Sequence, residues 1–154
     1  MALTRERIDL RTLLGAARSW FLHRLETRRP TLFSAVNQTR KTVLANQLHV
    51  TYTSAERRKG LLGRDGLNPG EGLWIVPSQA VHTFFMRFPL DLVYIDSKHR
   101  VRKLRQNVPP GRISYSLFAS SVLELAAGTI ARSQTRKGDL LEIEALAPRD
   151  GSRR

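Results

Sequence analysis

An all-β domain, a compact, mostly antiparallel sandwich or barrel behind one N-terminal amphipathic helix, is the fold class this sequence predicts. Three observations lead there. From about residue 32 the apolar residues fall into short runs bounded by Gly, Pro, Asn and Asp, the pattern of strands closed by turns. No strand–helix alternation suggests a parallel sheet, so each strand's apolar face must be covered by another part of a sheet. A chain of 154 residues, 41% of them apolar, is long enough for one core and an appendage.

The first element is a helix over residues 5–27. Leu10, Leu13, Leu14, Ala17, Phe21 and Leu25 recur at three- and four-residue steps, with Arg7, Arg11 and Arg18 opposite. Pro30 ends it. With Trp20 beside the stripe, this basic helix suits an anionic membrane surface, an acidic protein partner or its own domain. An organellar presequence is a further reading, opposed by Glu6, Asp9 and Glu26. Residues 1–31 are thus assigned to helix and linker, 32–147 to the β domain and 148–154, PRDGSRR, to a disordered tail.

Strand candidates follow in order: LHVTYT from Leu48, LWIVP after the turn NPGEG, LDLVYID after Pro89, VRKLRQ, SVLELAAG and LLEIEAL. The last alternates most cleanly, with Leu141, Ile143 and Ala145 on one face and Glu142 and Glu144 on the other. SAERRKGLLGRDGL is the exception, a helical turn or two with Ser54 as N-cap and Gly60 or Gly63 as stop. HTFFMRFPLDLVYID, from His82 to Asp96, reads as two strands bent near Pro89. Its first half would place His82, Phe84 and Met86 on one face and Thr83, Phe85 and Arg87 on the other.

Charge and composition narrow the chemistry. Twenty-six Lys and Arg against 13 Asp and Glu give a net charge of +13, which attracts polyanions and acidic surfaces and also favours solubility. Basic residues cluster in RKTV, ERRKG and KHRVRKLR, but the last lacks the interleaved aromatics of a base-stacking platform, so nucleic acid is not the favoured partner. The absence of cysteine excludes disulfides, thiolate zinc sites and a Cys nucleophile, and fits a reducing compartment. No apolar run reaches the roughly 18 residues of a membrane span. RTLLGAARSWFLHRL is broken by Arg11, Arg18, His23 and Arg24, so no cleavable signal is expected. The expectation is a cytoplasmic protein, peripheral at the membrane if the helix binds there.

No Ser-His-Asp order, GxxxxGK, GxGxxG or HExxH motif is present, so no catalytic residue and no cofactor are assigned. His82 and Met86 could approach one soft metal ion, but two ligands are too few, and His23, His49 and His99 lie in separate segments. Hydrogen bonding for His82 and core filling for Met86 are the simpler roles. Asp91 and Asp96 are five residues apart and project from opposite faces of one strand, so they form no acid/base pair. Asp96 suits a turn. Asp91 and Glu124 are carboxylates inside apolar strands, which is costly without a partner. Arg87 or Arg112 could serve Asp91, and His82 or Arg112 could serve Glu124.

Taken together, ERRKGLLGR, NPGEGLWIVP, HTFFMRFPLDLVYID, SVLELAAG and KGD resemble the family catalogued as domain of unknown function 192, over roughly residues 34–145. The resemblance implies a mostly antiparallel sandwich or jelly-roll-like β domain and brings no activity with it. It falls on Glu56, Arg57, Gly60, Leu61, Gly70, Glu71, Gly72, His82, Thr83, Met86, Asp91, Asp96, Leu123, Glu124 and Gly128. Ser78 stands near a place where relatives often carry cysteine, and DSKHR replaces their usual D-x-x-G turn. The expected function is a non-catalytic binding or accessory module with a pocket near the HTxxM block, drawn from His82, Thr83, Met86, Arg87, Asp91 and Glu124. Glu56, Arg57, Asp96 and Arg112 are expected in turns or ion pairs. The alternatives are a hydrolase or lyase using His82 with a carboxylate, and a metal-binding protein using His82 and Met86.

Overall fold

The computed structural model describes residues 32–146; the helix expected over 5–27 and the tail over 148–154 lie outside them. The elements are β1 (Leu32–Asn37), β2 (Thr42–Thr51), α1 (Ser54–Lys59), β3 (Glu71–Ile75), β4 (Ala80–His82), β5 (Leu90–Ile95), β6 (Val101–Val108), β7 (Ile113–Tyr115), β8 (Ser121–Ala126), α2 (Thr129–Ser133) and β9 (Leu141–Ala145). Seven strands form one sheet in the order β6-β5-β8-β3-β2-β1-β9, and β4 pairs with β7 in a separate ribbon. β2 and β3 are parallel; the other strand pairs are antiparallel.

The sheet curls until its edges meet. Arg100 bridges Leu140, Val101 N donates to Asp139 O at 2.9 Å and Leu141 N donates to His99 O at 3.0 Å. Of the forms open to an all-β chain, this is the barrel-like one, and closing the edges removes backbone groups that would otherwise recruit a foreign strand. A buried cluster sits beside the seam: Asp139 Oδ2 accepts from Asn37 Nδ2, Arg40 Nε and Arg136 N, each at 2.8 Å. Burial pushes the Asp139 carboxyl upward, but these donors outweigh it and hold the pKa below the usual range.

Two apolar layers explain the strand sequences. Inside the curl, Val93, Ile95, Leu123 and Leu125 pack with Leu48, Ile130 and Leu141. On the outer face, Leu90, Leu92, Tyr94 and Val122 pack with Leu61, Val81 and Met86. LDLVYI and SVLELA are therefore buried at every position, because both faces of β5 and β8 are covered. The edge strand β9 keeps its alternation at Leu141, Glu142 and Ile143.

The structure corrects several local expectations. LHVTYT catches only the second half of β2, and LFSAVN (β1), ISY (β7) and the single-turn α2 are additions. Such short segments carry too few residues for a period to show, and β1 is held by pairing with both β2 and β9. Thr53, rather than Ser54, caps α1: its side chain accepts from Glu56 N at 3.1 Å, and Glu56 Oε2 accepts from Thr53 N at 2.8 Å. This reciprocal pair satisfies two otherwise free amides. The first half of HTFFMRFPLDLVYID is not a continuous strand. β4 ends at His82, and Met86 N donates back to Thr83 O at 3.3 Å, closing a turn with Phe85 at φ 64.

Candidate functional site

A cleft of about 370 Å³ opens on the outer face of the sheet. α1 and the turn after it form one wall, Pro77 and Ser78 lie at the rim, and Val81, His82 and Met86 form the other wall. β3 and β8 supply the floor through Ile75 and Glu124. β3 lies close against its neighbours at Gly72, where an added Cβ would sit 2.7 Å from Leu125 Cδ2 and 2.9 Å from Glu124 O. Any side chain at this buried position would push β8 away, so glycine here is a packing requirement.

Glu124 dominates the chemistry of the floor. It lies opposite Leu73 of β3 and Leu92 of β5, is only 5% exposed, and has no hydrogen bond or ion pair among the described residues. Burial pushes its carboxyl up to about 7, because the charged form loses water and gains no protein partner. Two further unsatisfied oxygens lie under the same outer layer, Tyr94 OH and Ser114 Oγ. Burial raises the Tyr94 pKa, the Glu124 charge adds to the rise, and the Ser114 hydroxyl opposes it without reaching hydrogen-bond geometry.

The rim is cationic. Arg57 is tied to the scaffold, its Nη1 donating to Val76 O at 3.2 Å and its Nη2 to Ser54 Oγ at 2.9 Å. Arg58 and Lys59 are exposed beside it and hold no ion pair among the described residues. His82 completes the rim, exposed, with its ring stacked on Phe84 at 5.6 Å.

The other candidate residues lie elsewhere. Asp91 shares the inward face with Val93 and Ile95 and is fully buried. Its Oδ1 accepts from Asn107 N at 2.9 Å and its Oδ2 from Ile130 N at 2.8 Å, so two backbone amides satisfy it and neither Arg87 nor Arg112 is its partner. Thr83 Oγ1 donates to Pro109 O at 2.7 Å and accepts from Arg112 N at 2.9 Å, fastening β4 to the loop before β7. Arg87 pairs with Asp65 at the surface at 2.5 Å. Asp96 Oδ1 accepts from Lys98 N and Arg100 N, and its Oδ2 meets Arg102. The side chain of Arg112 is exposed.

Of the six pocket candidates, then, His82, Met86 and Glu124 share the cleft, while Thr83, Arg87 and Asp91 do not line it. His82 makes no hydrogen bond to Asp91 or Glu124 among the described residues. Among the described residues, no three His, Cys, Asp or Glu groups converge as a metal site would require. Sequence reading assigned no ligand role to Arg58 or Lys59. The ERRKG cluster was the available signal, but only the fold aims its cations at the mouth of a cleft.

Comparison with known proteins comes to the same fold. The family model of domain of unknown function 192, described as an uncharacterised ACR, matches residues 35–143. A crystal structure of a protein of unknown function from Novosphingobium aromaticivorans is similar at a TM-score of 0.63 and 24% identity, covering 72% of this chain and 83% of the other. A candidate transcription regulator from Sinorhizobium meliloti is similar at a TM-score of 0.63 and 26% identity, over 71% of this chain and 90% of its own. No curated protein matches. Among the described residues, no helix is long and apolar enough to cross a membrane.

Proposed function

The chain belongs to the family of domain of unknown function 192, and from that premise we propose that its β domain is a non-catalytic binding module taking a small, partly apolar anion in the cleft over Glu124. The observation that carries this reading is an unpartnered, buried carboxyl at the base of a cleft with a cationic rim. A buried polar group without a partner is unfavourable unless something else supplies one. When protonated, Glu124 donates its O–H to a ligand oxygen, while Arg58, Lys59 and His82 face the negative charge at the mouth. Leu61, Ile75, Val81 and Met86 provide the apolar walls typical of small-molecule sites.

Thermal shift with a panel of small carboxylates and phosphate monoesters tests the reading, since binding to the folded state alone raises the melting temperature. At pH 6 at least one class is expected to stabilise the protein. Arg58→Ala/Lys59→Ala and Glu124→Leu, which keeps the bulk but carries no donor, are each expected to weaken that ligand by about tenfold or more, through loss of a charge-assisted contact. A ligand bound equally by all three proteins, or a panel with no effect, would reject the cleft as the binding site.

A further inference from the structure

Turn tips of soluble domains favour Gly, Pro, Asn, Asp and Ser. Two turns here do the opposite. Thr83–Met86, closed by Met86 N to Thr83 O at 3.3 Å, carries Phe84 and Phe85 at its tip. Ser116–Ala119, closed by Ala119 N to Ser116 O at 3.1 Å, carries Leu117 and Phe118. Phe85 is 89% exposed, Phe118 81% and Leu117 70%. Phe85 also holds a φ of 64, a backbone region that a bulky side chain enters at a cost. Local stability favours neither the side chains nor that conformation.

The two turns lie at opposite ends of the β4–β7 ribbon, because one follows His82 and the other follows Tyr115 in strands paired His82 to Ile113 and Ala80 to Tyr115. Val81 and Ser114 point inward and are buried, which turns His82, Ile113 and Tyr115 outward. The apolar surface therefore runs from one tip to the other across the ribbon. Such a contiguous exposed patch marks a contact surface.

Charge identifies the partner. Residues 76–90 and 97–120, which build the ribbon, both turns and β6, contain Arg87, Lys98, Arg100, Arg102, Lys103, Arg105 and Arg112 and no Asp or Glu. Arg87 pairs with Asp65 and Arg102 with Asp96; the other five hold no ion pair among the described residues. We propose that the β4–β7 ribbon and its two apolar turns dock on an anionic lipid bilayer, with the turn tips entering the headgroup–acyl boundary and the surrounding cations facing lipid phosphates. Aromatic and aliphatic side chains flanked by Lys and Arg suit that boundary. Single-stranded nucleic acid fits less well, since Ile113 and Leu117 offer no π-face for stacking.

Cosedimentation of the full chain with phosphatidylcholine vesicles, with and without phosphatidylglycerol, tests this. Binding is expected only with the anionic lipid, weakening as salt is raised, and falling roughly tenfold or more in Phe85→Ser/Phe118→Ser. Both positions are exposed, so the variant is expected to keep the melting temperature of the parent. Because the chain has no cysteine, Phe118→Cys supplies one thiol for an environment-sensitive fluorophore, whose emission is expected to shift to the blue on anionic vesicles. Undiminished binding by the double variant, or bound protein without a blue shift, would overturn the proposal. So would a lipid-independent, concentration-dependent dimer that the same substitutions abolish, which would make a second copy the occupant.

Discussion

Glu124→Gln removes the titration of the cleft floor while keeping side-chain volume. The carboxyl titrates near 4.5 in the unfolded chain and at about 7 in the folded protein. Below pH 4.5 both states hold the proton and the group has no pH-dependent effect. As pH rises from 4.5 to 7 the unfolded chain releases the proton while the folded one retains it, so stability falls, and the loss is complete once pH has passed through 7. At about 1.4 kcal/mol per pH unit between those two values, the loss is about 3 kcal/mol. Urea denaturation at pH 4, 5, 6, 7 and 8 measures it. Relative to the parent, Glu124→Gln is expected to gain about 3 kcal/mol between pH 4 and pH 8, most of it between 4.5 and 7. The comparison isolates Glu124, because every other titrating group is common to both proteins. A stability difference that stays flat across this range would refute the reasoning, since it would mean that the folded protein leaves the carboxyl solvated or partnered.

Three further outcomes follow from the same geometry. Affinity for the anion that occupies the cleft is expected to fall as pH rises through about 7, as Glu124 changes from a donor to a repelling charge; titration calorimetry at pH 6 and 8 reads this, and Glu124→Gln is expected to remove the contribution from this group. Asp91→Ala strands the Asn107 and Ile130 amides and is expected to lower unfolding stability by roughly 2–6 kcal/mol at neutral pH, at about 1–3 kcal/mol per unsatisfied amide; a urea midpoint within error of the parent would contradict that role. Gly72→Ala places a methyl 2.7 Å from Leu125 Cδ2 and 2.9 Å from a backbone oxygen of β8, so overpacking is expected to cost about 1–3 kcal/mol, measured by the same denaturation.

Much of the domain was legible in the chain. LDLVYI, SVLELA and LLEIEAL are legible as strands, the last as half-buried by its alternation, whereas the burial of both faces of the first two came only with the fold. The turn NPGEG falls where residue type commands backbone geometry, at Gly70 with φ 89, whereas at DSKHR Asp96 marks a turn but the positive φ of His99, 58, came only with the fold. The HTxxM block was legible as unusual but not as a shape. Alternation along HTFFMRF implied a strand, whereas the chain turns after His82 because the Thr83 hydroxyl binds the 109–112 loop and Thr83 O accepts from Met86 N and Gly111 N. Apart from Met86, those partners come from an arm 26 to 29 residues away, too distant in sequence for a local period to register.

What the sequence determined by itself is the class of fold, most of its longer strands and the presence of two carboxylates in apolar strands. It left Asp91 and Glu124 looking alike, each flanked by leucines. Tertiary structure separated them. The pleat turns Asp91 to the inner face, where amides 16 and 39 residues further along the chain converge on it. The same pleat turns Glu124 to the outer face, where the described residues bring no donor. A carboxylate's chemistry depends on the donors within about 3 Å of its oxygens, and across a curled sheet those donors are supplied by chain closure rather than by sequence neighbours.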